Sequence, residues 1–459
     1  MDWIKLAQAE KATLIDLTAQ LIQHKSIYDE STVSVTTPFG KDISNTLEFI
    51  LDVASKMGFT VKNCDNMVGF IEIGEADEMV GAIGHLDTVP VGSGWSYDPF
   101  GGTIDQDKIF GRGASDNKGP AIATLVALKI LKSIGAPLRR RCRLILSLDE
   151  ETHFRCMLHY AKYEEPPKYG FVPDGKFPLT YAEKGLYDFG FTGTLQTGMI
   201  HSFKCGSAPN VVPDSATMSV DYDEAIQTAY NAYLDANHLI GKAYQEDNQL
   251  ILEAKGESVH GSQPQDGVHA GFILLNFIKN YTNEPFVDLL TTYFVDKYYG
   301  EGFDFQCSDD ICGPLTLNVG VLNYERGKNF DLHTTTRYPL PFDQAAAELK
   351  LHTVARSYGL SCCKDDHFPP IYNDPDADWI QTLYRIYQKQ SGDTTSPMET
   401  AGGITLARTL PNFTTFGLTF PGTPPHGVHG IDEWIKIEDL VKGCAIYAQA
   451  FYELANNVD

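Results

Sequence analysis

Helical and strand patterns alternate regularly in this sequence from residue 1 to about residue 175. Apolar residues recur at helical spacing over residues 6–21 and 43–57, and a strongly amphipathic helix follows over residues 120–134. The patterns of short or buried strands fall between and after these helices, at residues 68–73, 80–83, 143–148 and 169–172. Strands that alternate with helices predict an α/β domain whose functional groups lie at the strand ends.

The pattern of strands and helices changes near residue 180, and the α/β pattern of the first part returns in the final ~80 residues. Strand patterns at residues 187–194, 215–222, 249–254 and 315–322 accompany helical ones at 224–237, 270–281 and 342–355. The final part predicts a helix at 379–390, a helix from Thr405, a strand at 414–418 and a helix from Ile437. Because 459 residues also exceed the usual size of one domain, we expect two domains. These are a discontinuous α/β domain over residues 1–180 and 380–459, and an inserted α+β domain over residues 181–379.

The composition bounds the partners and the compartment. The formal net charge of −24 argues against nucleic acid and against an anionic membrane, because an acidic surface repels both. No apolar stretch reaches the ~18 residues of a membrane span, and the N-terminus lacks a signal-peptide pattern. The chain has nine cysteines, an odd number, and they are scattered along the sequence. This distribution is typical of reduced structural thiols. We therefore expect a cytoplasmic protein that binds neither nucleic acid nor membranes.

Five polar motifs are candidates for the chemistry, and most of them follow a predicted strand. They are His85-Leu86-Asp87, Gly113-Ala114-Ser115-Asp116, Asp149-Glu150-Glu151, Pro173-Asp174-Gly175 and His426-Gly427-Val428-His429. Each alone has an ordinary explanation, such as a helix cap, a turn or a solvated charge run. A phosphate-binding loop is disfavoured because Gly-x4-Gly-Lys-Ser/Thr is absent. A glycosidase pair is disfavoured because carboxyls neighbouring in one strand rarely have the required separation.

Taken together, the motifs predict a metal centre. Three consecutive carboxylates at the mouth of a sheet repel one another unless cations compensate their charge. Oxygen and nitrogen donors without cysteine suit zinc or manganese, with cobalt as a third candidate. Five ligands exceed what one tetrahedral ion needs, and two ions about 3.5–4 Å apart that share a carboxylate would account for them. In an extended His-x-Asp both side chains lie on one face, which suits an imidazole ligand and a carboxylate that orients it.

In this order the motifs resemble those of the aminoacylase/carboxypeptidase-G metallopeptidases, and most closely the PepV-like dipeptidases (Xaa-His or β-Ala-Xaa dipeptidases). The resemblance covers nearly the whole chain. It implies a zinc-peptidase-like α/β catalytic domain with an inserted lid domain, and a monomer, because a lid this long resembles the PepV arrangement that supplies its own histidine. It also implies unblocked dipeptides as substrates, hydrolysed by a metal-bridged water.

The resemblance assigns a role to each metal-site residue. His85, Asp116 and Asp174 would bind one ion, and Asp116, Glu151 and His429 the other, with a cis peptide after Asp116. Glu150 would be the general base, and Asp87 would orient His85. His429 is preferred to His426 because it stands four residues before Glu433, which matches the spacing of the family.

Five further residues match substrate contacts of the family. Asn210, His260 and Arg337 resemble the lid asparagine, the histidine that supports the oxyanion and the arginine that receives the substrate carboxylate. Gly402 and Gly403 resemble the loop whose backbone N–H groups hold that carboxylate in front of a helix. This chain departs from the pattern at Ile404, where related dipeptidases have a third glycine. A β-branched residue does not easily adopt a positive φ. Ile404 is therefore expected to affect how this loop binds the C-terminal carboxylate of the substrate.

Two other functions remain open at this level. One is an N-acyl-amino-acid deacylase or desuccinylase of the same superfamily. The other is a catalytically silent relative that binds metal or peptide, which the complete set of ligands, base and lid residues argues against.

Overall fold

The computed structural model describes residues 1–195 and 198–458, and the chain divides into two compact units. The first unit comprises Met1–Ala182, Tyr372–Thr400 and Thr405–Asp459, and the second comprises Glu183–Ile371 and Ala401–Ile404. This division differs from the domains proposed from the sequence at residues 181–182 and 372–379, which belong to the first unit, and at 401–404, which belong to the second.

The helices and strands are as follows, within the residues that the structure describes. The α-helices are α1 (Trp3–Ala9), α2 (Lys11–Gln23), α3 (Lys41–Lys56), α4 (Lys118–Ser133), α5 (Arg155–Tyr163), α6 (Glu224–Ala236), α7 (Ala270–Ile278), α8 (Pro285–Tyr293), α9 (Gln344–Ser357), α10 (Asp378–Ser391) and α11 (Ile437–Asn456). The strands are β1 (Thr60–Cys64), β2 (Val68–Ile73), β3 (Met79–His85), β4 (Thr103–Asp105), β5 (Lys108–Phe110), β6 (Arg141–Ser147), β7 (Tyr169–Val172), β8 (Gly175–Lys176), β9 (Thr180–Glu183), β10 (Gly185–Gly193), β11 (Ile200–Cys205), β12 (Ser215–Asp221), β13 (Ile240–Glu246), β14 (Gln249–Lys255), β15 (Ser308–Asp309), β16 (Gly313–Pro314), β17 (Thr316–Glu325), β18 (Asn329–Tyr338), β19 (Ser361–Phe368), β20 (Ile371–Tyr372), β21 (Glu399–Ala401), β22 (Phe413–Thr415), β23 (Leu418–Thr419) and β24 (Trp434–Lys436).

The first unit is built on a mixed sheet with the strand order β1-β2-β6-β3-β7-β22-β9-β20. Its centre is parallel, because β3 pairs in parallel with both β6 and β7, and β7 pairs in parallel with β22. Every residue of β3 is buried, as in strands covered on both faces. The carboxyl ends of β3, β6 and β7 therefore meet at one edge of the sheet. This confirms the predicted α/β fold.

Two long helices, α4 and α11, pack against each other and against the central strands of this sheet. Helix α4 packs against α2, α11 and β3, and from Lys118 to Leu128 every one of its residues is buried. Helix α11 buries fourteen of its twenty residues. The position of α4 matters for function, because its first turn follows directly on the loop that carries Asp116.

The second unit contains an antiparallel eight-stranded sheet in the order β13-β14-β12-β11-β17-β18-β10-β19. One face of this sheet is apolar and packs with helices α6 to α9 into a separate core, to which Phe189, Phe191 and Leu332 contribute. The residues that alternate with these on β10 and β18 lie on the opposite face, among them Gly190 and His333. An antiparallel sheet with one helix-covered face fits the predicted α+β insert.

Some local predictions are wrong. The helix predicted over residues 6–21 is two helices, α1 and α2, separated at Glu10. The helix predicted from Thr405 is only a 3-10 turn at Leu406–Thr409, because Pro411 follows closely and a proline cannot continue the helical hydrogen bonding. The strand predicted at residues 414–418 is interrupted between β22 and β23. Among the described residues, no helix combines the length and apolarity that crossing a bilayer requires.

Candidate metal centre

Three neighbouring parallel strands bring four of the predicted residues to one edge of the first sheet. His85 is the last residue of β3, Glu150 and Glu151 follow β6, and Asp174 follows β7. Because β3 lies between β6 and β7, His85 stands between the glutamates and Asp174. The alternation of strand and helix in the sequence thus accounts for this part of the site.

The loop before α4 brings in Asp116. Its backbone N–H and that of Ser115 each donate to Glu433 Oε1, at 3.0 and 2.9 Å. The N–H of Gly113 and Nη1 of Arg112 donate to the other oxygen of Glu433, at 3.0 and 2.7 Å. The buried Glu433 carboxylate therefore fixes the main chain of the whole loop. The Asp116–Asn117 peptide is cis, as the resemblance implied.

The carboxylate of Asp116 lies between two imidazoles. Its Oδ1 is 2.9 Å from Nε2 of His85, and its Oδ2 is 3.0 Å from Nε2 of His429. Nε2 of His429 is also 3.2 Å from Glu151 Oε2, and Nε2 of His85 is 3.6 Å from Asp174 Oδ2. This is the arrangement that one carboxylate shared between two ions requires.

Donor atoms gather in two overlapping groups around His85. One group is His85, Asp116 and Glu151, and the other is His85, Glu150 and Asp174, each with its donor atoms within 4.8 Å of one another. His429 joins the first group through its contacts with Asp116 and Glu151. The sequence-based assignment treated Glu150 as a base rather than a ligand, and here its carboxyl lies beside His85 and Asp174.

Asp87 contacts both the His85 imidazole and the backbone of Glu151. Its backbone oxygen lies 3.0 Å from Nδ1 of His85, and its Oδ1 lies 3.5 Å from the same nitrogen. Its Oδ2 accepts a hydrogen bond of 2.9 Å from the N–H of Glu151. A proton held at Nδ1 leaves the Nε2 lone pair of His85 directed at the carboxylates, which is the tautomer that a metal ligand needs.

The electrostatics of the group indicate missing positive charge. Burial, together with the charge of Asp116, raises the pKa of Asp174 to about 7. Burial also raises the pKa of Glu150 well above its ordinary value, against the opposing charge of His85, and it raises that of Glu151. Hydrogen bonds with Asp116 and Glu151 raise the pKa of His429 to about 11. Three of the four carboxyls around the two imidazoles therefore hold protons more readily than an isolated carboxyl does, where bound cations could compensate their charge instead.

Hydrogen bonds from the two imidazoles outweigh burial at Asp116 and lower its pKa, so this carboxylate stays ionised. The donor set contains carboxylate oxygens and imidazole nitrogens and no sulfur, which suits zinc, manganese or cobalt. Asp87 contacts Nδ1 of the buried His85 imidazole, so Nε2 is the nitrogen that can bind an ion. The carboxylates that face Nε2 need a cation to compensate their charge. The residues therefore fit divalent ions.

His426 takes no part in this group. Its Nδ1 lies 2.7 Å from Ser115 Oγ, and its backbone oxygen accepts from the N–H of Trp434 at 3.0 Å. The structure thus brings His429, rather than His426, to Asp116 and Glu151.

Sequence reasoning missed the buried ion pair between Arg112 and Glu433. Besides this pair, the Arg112 side chain donates from Nη2 to the backbone oxygen of Gly430 at 2.7 Å, next to His429. The pair therefore joins the Asp116 loop to the His429 loop. In the sequence, Arg112 directly precedes the Gly113–Asp116 motif, and Glu433 served only as a spacing marker for His429.

The residues matched to substrate contacts lie in the second unit, around Ser262. Nδ1 of His260 is 2.7 Å from Ser262 Oγ, and the N–H of Gly261 donates to the backbone oxygen of Asn210 at 2.7 Å. A Cβ on Gly402 would lie 3.3 Å from Cβ of Ser262. Asn210 and His260 are exposed.

Arg337 reaches the same neighbourhood through the sheet. It lies on β18 directly opposite Thr316, whose Oγ1 donates to the backbone oxygen of Ser262 at 3.0 Å. Its side chain is buried near Asp188, a residue that sequence reasoning missed. Burial raises the pKa of Asp188 to about 7 even though the Arg337 charge opposes the shift.

The loop at Gly402, Gly403 and Ile404 differs from its expected setting. It precedes a four-residue 3-10 turn rather than an α-helix. At these three described residues φ is not positive, so the β-branched Ile404 meets no backbone conflict.

Comparison with known proteins identifies the family. A profile of the peptidase family M20/M25/M40 matches residues 81–453. The chain is 36% identical over 467 residues to "Putative dipeptidase YtjP" of Bacillus subtilis (strain 168), covering 99% of this chain and 100% of that protein. It is 32% identical over 466 residues to "Putative dipeptidase SH1171" of Staphylococcus haemolyticus (strain JCSC1435), covering 98% and 99%.

Solved structures share the fold. The dipeptidase Dug1p of Saccharomyces cerevisiae superposes with a TM-score of 0.60 at 14% identity, over 98% of each chain. Human carnosine dipeptidase 1 superposes with a TM-score of 0.59 at 14% identity, over 99% of each chain. The family profile and the two relatives that match over nearly their full length confirm the predicted resemblance: the chain belongs to the peptidase family M20/M25/M40.

Proposed function

We propose that this chain is a metal-dependent dipeptidase that hydrolyses the peptide bond of unblocked dipeptides. The observation that carries the proposal is the Asp116 carboxylate between two imidazoles, with Glu150, Glu151 and Asp174 beside it. Relatives that match along the whole chain are named as dipeptidases, which supports this substrate class.

His85, Asp116 and Asp174 would hold one ion, and Asp116, Glu151 and His429 the other, with zinc or manganese as the candidate metals. When bound, two divalent ions would supply Lewis acidity at this place, which would favour deprotonation of water and polarise the scissile carbonyl. Asp87 acts as a positioning residue, because it contacts Nδ1 of His85 and the backbone of Glu151.

Glu150 is the group that we assign as general base. Burial raises its pKa well above the ordinary range of a glutamate, and the neighbouring Asp174 and Glu151 act in the same direction. A carboxylate with a raised pKa can take a proton from the attacking water, hold it, and pass it to the leaving amine. Glu150 would thus act twice in each turnover.

The residues around Ser262 in the second unit would recognise the substrate. The Arg337 guanidinium would bind the C-terminal carboxylate through paired hydrogen bonds, and the backbone N–H groups of Gly402 and Gly403 would bind the same carboxylate. His260 and Asn210 would stabilise the negative charge that develops on the carbonyl oxygen. Because the chain carries its own His260, we propose a monomer, which light scattering on the eluted protein would test.

The decisive test compares Glu150→Gln with wild type on a dipeptide panel that includes β-Ala-His and Ala-Leu. We expect kcat to fall by about 10²–10⁴-fold, the usual contribution of a general base, while metal content stays unchanged. Glu165→Gln is the matched control, because Glu165 is an exposed glutamate that pairs with Arg141. Full activity in Glu150→Gln would refute the assignment of the base.

The same panel separates the two rival functions. Each dipeptide is assayed beside its N-acetylated form after the protein is loaded with zinc or with manganese. Preference for the acetylated form would identify a deacylase and overturn the dipeptidase proposal. Absence of turnover on every compound, with metal bound, would identify a binding protein.

A further inference from the structure

A second cluster of metal-binding side chains lies in the second unit, on the sheet face opposite its apolar core. Its donors are His333, Cys363 and Asp365, whose ligand atoms all lie within 4.8 Å of one another. Two donors bound to one zinc ion are at most about 4.6 Å apart, since each bond is roughly 2.0–2.3 Å long. Only a small movement is therefore needed for all three to reach one ion.

Three adjacent strands define the cluster. Gly190 of β10 lies directly opposite His333 on β18 and directly opposite Cys363 on β19. Asp365 follows two residues after Cys363, where the β10–β19 pairing is irregular. Two of the three donors, His333 and Cys363, thus stand at paired positions of the sheet, and Asp365 stands at the irregularity that follows.

The contacts within the cluster are those of a ligand set. Nδ1 of His333 and Sγ of Cys363 both approach the Asp365 carboxylate, at 2.5 and 3.2 Å from its two oxygens. Nε2 of His333 is 3.0 Å from Asp331 Oδ1. A carboxylate on one ring nitrogen fixes the tautomer and frees the other nitrogen to bind an ion, as in many zinc sites.

Gly190 leaves the space between the donors open. A Cβ at this residue would lie 2.8 Å from His333 Nδ1, 2.8 Å from the backbone oxygen of Leu332 and 2.9 Å from Cys363 Sγ, closer than side chains tolerate. Any other residue would therefore fill the space where an ion would sit. The side chains of His333 and Asp365 are each 28% exposed, so an ion can enter from solvent.

The simpler explanation is that protonated His333 only pairs with Asp331 and Asp365. Such pairing accounts for the two carboxylates. It does not require a thiol directed at the same carboxylate.

We propose that His333, Cys363 and Asp365 form a binding site for a thiolate-preferring divalent ion such as zinc, separate from the metal centre of the first unit. Cys363 would bind as the thiolate and release its proton to solvent, and His333 would bind through Nδ1. Three protein ligands leave a fourth position for water. The proposal does not depend on the dipeptidase function.

Cobalt added to the metal-stripped, full-length protein tests this site directly, because a thiolate ligand gives cobalt a charge-transfer absorption in the near ultraviolet. The donor set of the first unit contains no cysteine, so cobalt bound there gives no such band. We expect the band in wild type, its loss in Cys363→Ser, and its bleaching when zinc displaces cobalt.

Cys362→Ser is the matched control, because Cys362 is the neighbouring residue and packs against the apolar core. It should keep the band. Gly190→Ala keeps every donor but fills the space, so it should weaken cobalt binding. Absence of the band in wild type, or its persistence in Cys363→Ser, would overturn the proposal.

A measurement on wild type alone guards against a variant that fails to fold. Zinc should protect Cys363 from alkylation by iodoacetamide, as mapped by mass spectrometry. Equal labelling of Cys363 with and without zinc would contradict the site.

Discussion

Asp116 is held from two sides, and this explains how one short loop can serve two imidazoles. Its carboxylate faces Nε2 of His85 and of His429, while its backbone N–H donates to buried Glu433. The main-chain contact fixes the direction of the side chain before any ion binds. At the scale of single residues, the site therefore depends as much on the groups that orient the ligands as on the ligands themselves.

Asp87 offers a direct test of this dependence. Asp87→Ala removes the carboxylate beside His85 Nδ1 and the acceptor of the Glu151 N–H, so the affinity for metal should fall by about 10–100-fold. Titration of the metal-stripped protein with zinc by calorimetry measures this change. Asp77→Ala is the control, since Asp77 is exposed and precedes β3 where Asp87 follows it. Equal affinities for the two variants would contradict the positioning role.

The two histidines of the C-terminal motif should behave differently. His429→Ala removes the imidazole beside Asp116 and Glu151, and we expect a loss of metal affinity above the roughly 10–100-fold typical of outer contacts. His426→Ala removes only a contact with Ser115 Oγ and should retain both ions. Elemental analysis of the dialysed variants measures their metal content. Loss of metal in His426→Ala alone would reverse the assignment.

At the scale of elements, the Arg112–Glu433 pair joins two loops that carry ligands. Both side chains are almost completely buried, at 2% and 0% exposure. Glu433 also accepts from the backbone of Gly113, Ser115 and Asp116. The Glu433 carboxylate therefore joins the loop before α4 to the segment after His429 through both side-chain and main-chain contacts.

Arg112→Met should destabilise the protein by about 3–5 kcal/mol, because it leaves the Glu433 carboxylate buried without its cation. Denaturant unfolding of the metal-stripped protein measures the free energy without any contribution from metal binding. Lys56→Met, which breaks an exposed pair with Asp52, should cause little change. A loss for Arg112→Met no larger than that for Lys56→Met would contradict the argument.

Elements with a strong local pattern were predictable from the sequence. Strands β2 and β7 have the predicted bounds, and α4 differs from its prediction by at most two residues, because its apolar spacing and early proline are local signals. Strand β18 was missed because its run of threonines and charged residues gives no apolar pattern, although the strand pairs with both β10 and β17. The approach of Arg112 to Glu433 spans 321 residues and likewise has no local signal.

At the scale of the whole molecule, each unit has its own core, and the tryptophans report on only one of them. The sequence contains four tryptophans, Trp3, Trp95, Trp379 and Trp434, and all belong to the first unit. Intrinsic fluorescence therefore follows the unfolding of the unit that carries the proposed dinuclear centre.

Manganese should raise the Tm of the fluorescence-detected transition of the metal-stripped protein. An ion at one hundred times its dissociation constant contributes about 2.7 kcal/mol per site. Manganese also prefers oxygen and nitrogen donors to thiolates, so it reports on the first unit. Asp116→Ala, which lacks the shared carboxylate, should show no shift. An equal shift in wild type and in Asp116→Ala would contradict binding at this centre.

The chain passes into the second unit and returns from it at adjacent strands of the first sheet. Tyr181 on β9 and Asn373, just after β20, are joined by a backbone hydrogen bond of 2.8 Å, so the long insert leaves and re-enters the first sheet on neighbouring strands. Topologically, all of Glu183–Ile371 takes the place of a hairpin loop. A module attached in this way can be exchanged or shortened without rethreading its host, because chain ends that lie side by side can be bridged by a short turn.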